Sequence, residues 1–140
     1  MISINIRPNL ILLGFVIAYL MFFLHVEYYS STSDPVLDQI RDQLAELHPR
    51  FRNVELYVGD KSYTINKKKV FICLKDSKGR YYSRNMLCYV ILHEYAHMLC
   101  DEIDHTDKFR QIFEDLLEQA TARGLYNPNI PPVSDYCGHH

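Results

Sequence analysis

The sequence predicts an α+β fold. It reads as a small domain of one helix, a small mixed or antiparallel sheet, a central helix carrying H-E-x-x-H and a following helix, behind an N-terminal transmembrane helix. Leu10 to Leu24 is an unbroken run of fifteen residues without a charge. Short alternating segments between residues 54 and 82 are flanked by stretches of helical periodicity. The pentapeptide His93-Glu94-Tyr95-Ala96-His97 sits inside the more apolar of the later helical stretches.

The first element is the apolar block. With His25 and Val26 as weak extensions it spans roughly 25 Å as a helix, against a hydrocarbon core of about 30 Å. A thin membrane or snorkelling flanks cover the difference. Residues 1–26 are therefore read as a membrane anchor, with residues 10–26 in the bilayer. A cleaved signal peptide, which would leave a secreted domain, and a buried core helix are the alternatives. Arg7 and the amino terminus precede the block, and Glu27, Asp34 and Asp38 follow it. That bias predicts a single-pass protein with a cytosolic N-terminus and its domain across the membrane.

Residues 27–34 read as a polar linker and 35–140 as the domain. The chain has 140 residues, 48% hydrophobic and 23% charged, which fits one globular domain and excludes wholesale disorder. Net charge is −2, so no nucleic-acid partner is expected. Four scattered cysteines do not make a disulfide-built mini-protein.

Asp34-Pro35 is a good helix start, and Leu37, Ile40, Leu44 and Leu47 follow at helical spacing until His48-Pro49. Val54 to Val58, Ser62 to Asn66 and Val70 to Leu74 read as strands, with Lys67, Lys68 and Lys69 as a solvated interruption. Arg80 to Tyr82 reads as a short returning strand after the turn at Asp76 to Gly79. Asn85 to about Asp101 is apolar on most sides, the pattern of a buried central helix. A second helix over Asp104 to Arg123 carries Phe109, Ile112, Phe113, Leu116, Leu117 and Ala120 as its stripe and stops at Gly124. The tail from Leu125 is irregular and packs through its tyrosines. His139 and His140 are terminal and could scavenge metal in vitro.

The chemistry lies in the central helix. Residues four apart on a helix differ by about 40° in direction and about 6 Å in height, so His93 and His97 can converge on one metal ion. Glu94, one step round, can act as general base toward a water activated by that metal. Neutral imidazoles suit Zn²⁺. His105, opening the next helix, is the expected third ligand, with Glu102, Asp101 and Glu114 as competitors. Asp104 and Asp107 are candidates to orient His105.

The stretch from Asn85 to Phe109 resembles the zincin metallopeptidases of the SprT and WLM (Wss1-like) group. Members pair H-E-x-x-H with a distal His-x-x-x-Phe, here His105-Thr106-Asp107-Lys108-Phe109. The segments Asn66 to Asp76, Gly79 to His97 and Pro132 to Gly138 resemble short WLM-like peptidases of large DNA viruses, so the likeness covers roughly residues 35–138. The chain departs from that group by Thr106, where SprT proteins often carry Gly, and from metzincins by the seven residues between His97 and His105.

The resemblance implies a zincin-like fold and zinc-dependent hydrolysis of a polypeptide substrate. Glu94 would be the catalytic base, and His93, His97 and His105 the metal ligands. It also implies an extended substrate paired with the strand edge nearest the helix, for which Val70 to Leu74 is the candidate, and an oxyanion-stabilising tyrosine, for which Tyr126 and Tyr136 are candidates. A catalytically silent zincin-fold structural protein of a virion or membrane is the alternative. It is motivated by the anchor and by the thirty-five residues that follow His105, few for a substrate-binding wall. Metal-dependent hydrolysis of another substrate is a third. Cys73, Cys88, Cys100 and Cys137 read as small buried thiols, with Cys100–Cys137 as a candidate pair in an oxidising space.

Overall fold

A computed structural model describes residues 7–32 and 34–138. The chain divides into two units, Met1–Thr32 and Ser33–His140. The first is a single helix, α1 (Pro8–Thr32), 25 residues long. Its Pro8–Glu27 segment meets the length and composition of a membrane span, criteria that a signal sequence also meets. None of that segment is buried, as its leucines and phenylalanines would be in a core helix. The expected linker at 27–34 is helical as far as Thr32, because nothing in Glu27 to Thr32 breaks a helix once its preceding turns have formed. His139 and His140 lie outside the described residues.

The second unit is α+β. Helix α2 (Pro35–Leu44) is capped by Asp34, whose side chain accepts from the Val36 N–H at 2.8 Å, and it buries Leu37, Ile40 and Leu44. A 3-10 turn over Pro49–Asn53, capped by His48, drives Phe51 into the core against Tyr95, 4.2 Å between ring centroids. Three strands follow: β1 (Glu55–Val58), β2 (Tyr63–Ile65) and β3 (Lys69–Ile72). Helices α3 (Arg84–Leu99) and α4 (Asp107–Ala122) complete the unit.

The sheet is mixed, in the order β1-β3-β2. β1 runs parallel to β3, with Leu56 opposite Val70, and β2 runs antiparallel to β3, with Thr64 also opposite Val70. The chain leaves β1 at Gly59, whose N–H bonds the Ile72 carbonyl, and crosses the end of β3 before returning as β2. A Cβ at Gly59 would meet the Lys61 carbonyl at 3.1 Å and the Phe71 Cβ at 3.2 Å, so glycine gives the crossing its room. Asn66 and Lys67, both with φ near +50°, then turn β2 directly into β3. Val70 to Leu74 is thus not an edge. Its first residues lie in the central strand, paired on both sides, and β2 is the edge beside α3. Residues 80–82 contribute only an isolated bridge, Lys75 to Tyr81.

Helix α3 is buried on most sides, through Leu87, Ile91, Leu92, Tyr95, Ala96 and Met98. Ser83 caps it by accepting from the Met86 N–H, and it ends at Leu99, two residues before the expected stop. Helix α4 begins three residues after its expected start because Asp104 takes φ +72° and Thr106 is the cap, accepting from the Phe109 N–H. At its other end Gly124 (φ +70°) closes a Schellman turn, with Gly124 N–H to Thr121 and Leu125 N–H to Ala120. The tail returns along α3, where Asn127 and Asn85 exchange two hydrogen bonds. It is then joined to the end of β3 by a Cys73–Cys137 disulfide. Cys137 therefore pairs with Cys73 and not with Cys100; Cys88 and Cys100 are free and buried. The tail packs alongside β2 and β3, whereas Cys100 is enclosed at the end of α3, where Lys67 donates to its carbonyl at 2.6 Å.

Candidate metal centre

Helical spacing puts His93 and His97 on one face of α3, with ring centroids 4.9 Å apart. The left-handed turn at Asp104 brings His105 back over that face, with its ring 4.9 Å from His93 and 5.0 Å from His97. One nitrogen from each of the three rings lies within 4.8 Å of the others. His93 Nε2 and His105 Nε2 are 3.0 Å apart. Two nitrogens bound to one tetrahedral zinc at 2.0–2.1 Å would be separated by about 3.3 Å, close to the His93–His105 spacing, and the three rings together could hold a metal ion. His93 and His97 are half-buried and His105 is exposed.

The surroundings favour the neutral, ligating form of at least one ring. Burial first, and then the neighbouring His93, hold His97 below the usual imidazole range, partly offset by Glu94. Phe109, 2% exposed, lies 4.2 Å from the His97 ring, 4.9 Å from His105 and 5.1 Å from His93. It forms an apolar wall shared by all three. Phe113 adds an edge contact to His93 at 5.3 Å.

The competing third ligands are placed differently. Asp101 pairs with Lys108 at 2.6 Å, tying the 101–106 loop to the first turn of α4. Lys108 thereby holds the Asp101 carboxyl below its ordinary range. Glu102 and Glu114 are not in the group with the histidines. Asp107, a candidate to orient His105, instead pairs with Arg110.

Glu94 is 7% exposed. Its Oε2 accepts a hydrogen bond from Thr64 Oγ1 at 2.8 Å, and its Oε1 lies 3.5 Å from His93 Nδ1. Thr64 escapes a reading based on motifs. The legible signal is alternation, since Ser62, just before β2, and Thr64 within it are half-buried hydroxyl residues between exposed neighbours.

Neither candidate tyrosine is brought against the three rings. Tyr126 lies beside Tyr89 with its ring tilted, 6.2 Å between centroids. Tyr136 donates to the Cys73 carbonyl and shares a 2.8 Å hydrogen bond with Ser62 Oγ, which itself accepts from the Cys73 N–H. A phenol has one proton, so Ser62 is the donor to Tyr136 and the three groups form a closed ring of hydrogen bonds. Burial pushes the Tyr136 phenol up to about 12, with the nearby Tyr82 and Glu94 adding to the shift.

No family model matches the chain, and no solved structure matches it. It is 51% identical over 87 residues to Uncharacterized protein 136R of Invertebrate iridescent virus 6, covering 60% of this chain and 49% of that protein. To Uncharacterized protein R325 of Acanthamoeba polyphaga mimivirus it is 38% identical over 82 residues, covering 55% and 41%. The chain thus spans less than half the length of these two relatives. It is 41% identical over 111 residues to Uncharacterized protein 042R of Invertebrate iridescent virus 3, covering 79% of this chain and 69% of the relative. On that coverage the chain belongs to the viral protein family that includes protein 042R of Invertebrate iridescent virus 3.

Proposed function

We propose that this protein is a membrane-anchored, zinc-dependent peptidase of zincin type. The observation that carries the reading is the convergence of His93, His97 and His105, with a buried glutamate directly after the first of them. The three imidazoles would hold the ion. Zinc, when bound, polarises a scissile carbonyl and makes water a nucleophile near neutral pH. Glu94 takes the proton of the attacking water and passes it to the departing amine. β2 is the strand edge beside Glu94, so an extended polypeptide would add there, antiparallel or parallel, through main-chain hydrogen bonds. The Cys73–Cys137 disulfide supports placing the domain on an oxidising side of the membrane, the side that the Arg7 and Glu27 flanks also favour.

A catalytically silent role is the second reading. It draws on Glu94 being nearly enclosed, with one oxygen taken by Thr64. One comparison separates the two. The full chain, with His139→Ala and His140→Ala to remove adventitious ligands, is purified in nanodiscs and assayed for zinc and for cleavage of fluorescein-labelled casein. The peptidase reading expects one zinc per chain and measurable cleavage. Glu94→Gln should keep the zinc and lose cleavage by at least about 100-fold. Zinc without cleavage in the parent favours the silent role. Equal cleavage by Glu94→Gln removes Glu94 as the base.

A further inference from the structure

Resting on that reading, we infer that Thr64 is a positioning residue for the Glu94 carboxylate, so that edge strand β2 sets the geometry of the proposed base. Glu94 has three side-chain torsions, and nothing in the H-E-x-x-H spacing selects among their combinations. A single hydrogen bond of 2.8 Å from Thr64 Oγ1 to Oε2 selects one. The other oxygen, Oε1, has His93 Nδ1 at 3.5 Å, beyond a good hydrogen bond. Thr64 therefore holds one carboxylate oxygen, and the second keeps its capacity to accept a proton.

The strand makes the donor rigid. Thr64 is β-branched, which restricts its χ1. Its backbone lies in the ladder opposite Val70, which is fully buried, so the Cα that carries the hydroxyl cannot shift along the strand without breaking register. Ser62, two residues earlier, is held in turn by Tyr136 and by the Cys73 N–H. The carboxylate is thus referenced to the sheet as well as to its own helix. Pre-set geometry of this kind is where a displacement of about 1 Å can cost up to about 100-fold in rate.

The test uses Thr64→Val, which keeps the shape and removes the donor, and Thr64→Ser, which keeps the donor. All proteins are full chains in nanodiscs. Casein cleavage is one readout. The other needs no turnover: binding of acetohydroxamate to the Co²⁺-loaded protein, followed by its visible absorption bands. A hydroxamate places an acidic group against the base. Thr64→Val is expected to lower kcat about 10-fold or more with KM within twofold, and to weaken hydroxamate about 5-fold or more. Its metal stoichiometry should be unchanged, and Thr64→Ser should recover both losses to within about threefold.

Parental kcat and hydroxamate affinity in Thr64→Val overturn the inference. So does a loss that Thr64→Ser fails to recover while remaining folded by circular dichroism. If Thr64→Val does not fold, Thr64→Ala, which also removes the donor, takes its place: hydroxamate affinity weakened about 5-fold or more upholds the inference, and a smaller loss overturns it. A parent that binds no Co²⁺ overturns the proposed function and this inference together. An inactive Glu94→Gln beside an unaffected Thr64→Val sinks only the inference.

Discussion

Phe109 shows how much of the site rests on a side chain with no polar atom. Its ring touches all three imidazoles and is 2% exposed, so it fills the space beneath the three rings. Phe109→Ala would open a cavity there and cost about 3–5 kcal/mol of stability, read from urea unfolding. Without the wall the rings gain rotational freedom, and zinc affinity in a chelator competition should fall by about 10-fold or more. Phe109→Leu should lose less of both. His105 depends on the residue beside it in a different way. Asp104 sits at φ +72°, a conformation open to Asp at modest cost, and that turn aims the following ring inward.

At the scale of elements, local chemistry explains the helices and fails for the sheet. The caps at Asp34, Ser83 and Thr106, and the stop at Gly124, are visible as residue types in the right places. The strands are visible as alternation. Their order is not, since β1 beside β3 requires a crossover that short-range pattern leaves unspecified. That order decides that β2, and not the segment after Val70, is the edge next to Glu94.

The lock between the tail and the sheet carries a pH prediction. The phenol of Tyr136 titrates near 10 when unfolded and near 12 when folded, chiefly because it is buried. Between those values the unfolded chain has lost the proton and the native state keeps it. Stability is therefore full below about pH 10 and declines as pH rises toward 12, by up to about 1.4 kcal/mol per pH unit from this group. Urea midpoints measured at pH 9 and 11 should show a smaller drop for Tyr136→Phe than for the parent, although that variant starts less stable through its lost hydrogen bonds.

For the second unit as a whole, the Cys73–Cys137 disulfide closes a loop with a sequence separation of 64. That loop contains α3, α4 and His93, His97 and His105. Cys137→Ser should lower stability by about 2–4 kcal/mol in non-reducing urea melts, and dithiothreitol should lower the parent to a similar midpoint. Under non-reducing denaturation, two thiols per chain should react with maleimide, those of Cys88 and Cys100. In the folded state Cys88 should react slowly, since burial pushes its thiol up to about 11.

The sequence by itself determined the apolar first helix though not its end, the α+β class, the bounds of α2, α3 and α4 to within a few residues, and His93 and His97 facing the same way. Each of these follows from periodicity or from residues four apart, and a helix transmits that information along its own backbone. Only the tertiary structure decided the rest. It brought the His105 ring, and not the nearby carboxylates, to His93 and His97, brought Thr64 to Glu94 across 30 residues, and joined Cys137 to Cys73 instead of Cys100. Those pairings depend on how the sheet, the two long helices and the tail exclude water together. That is a property of the packed whole, and no window of sequence contains it.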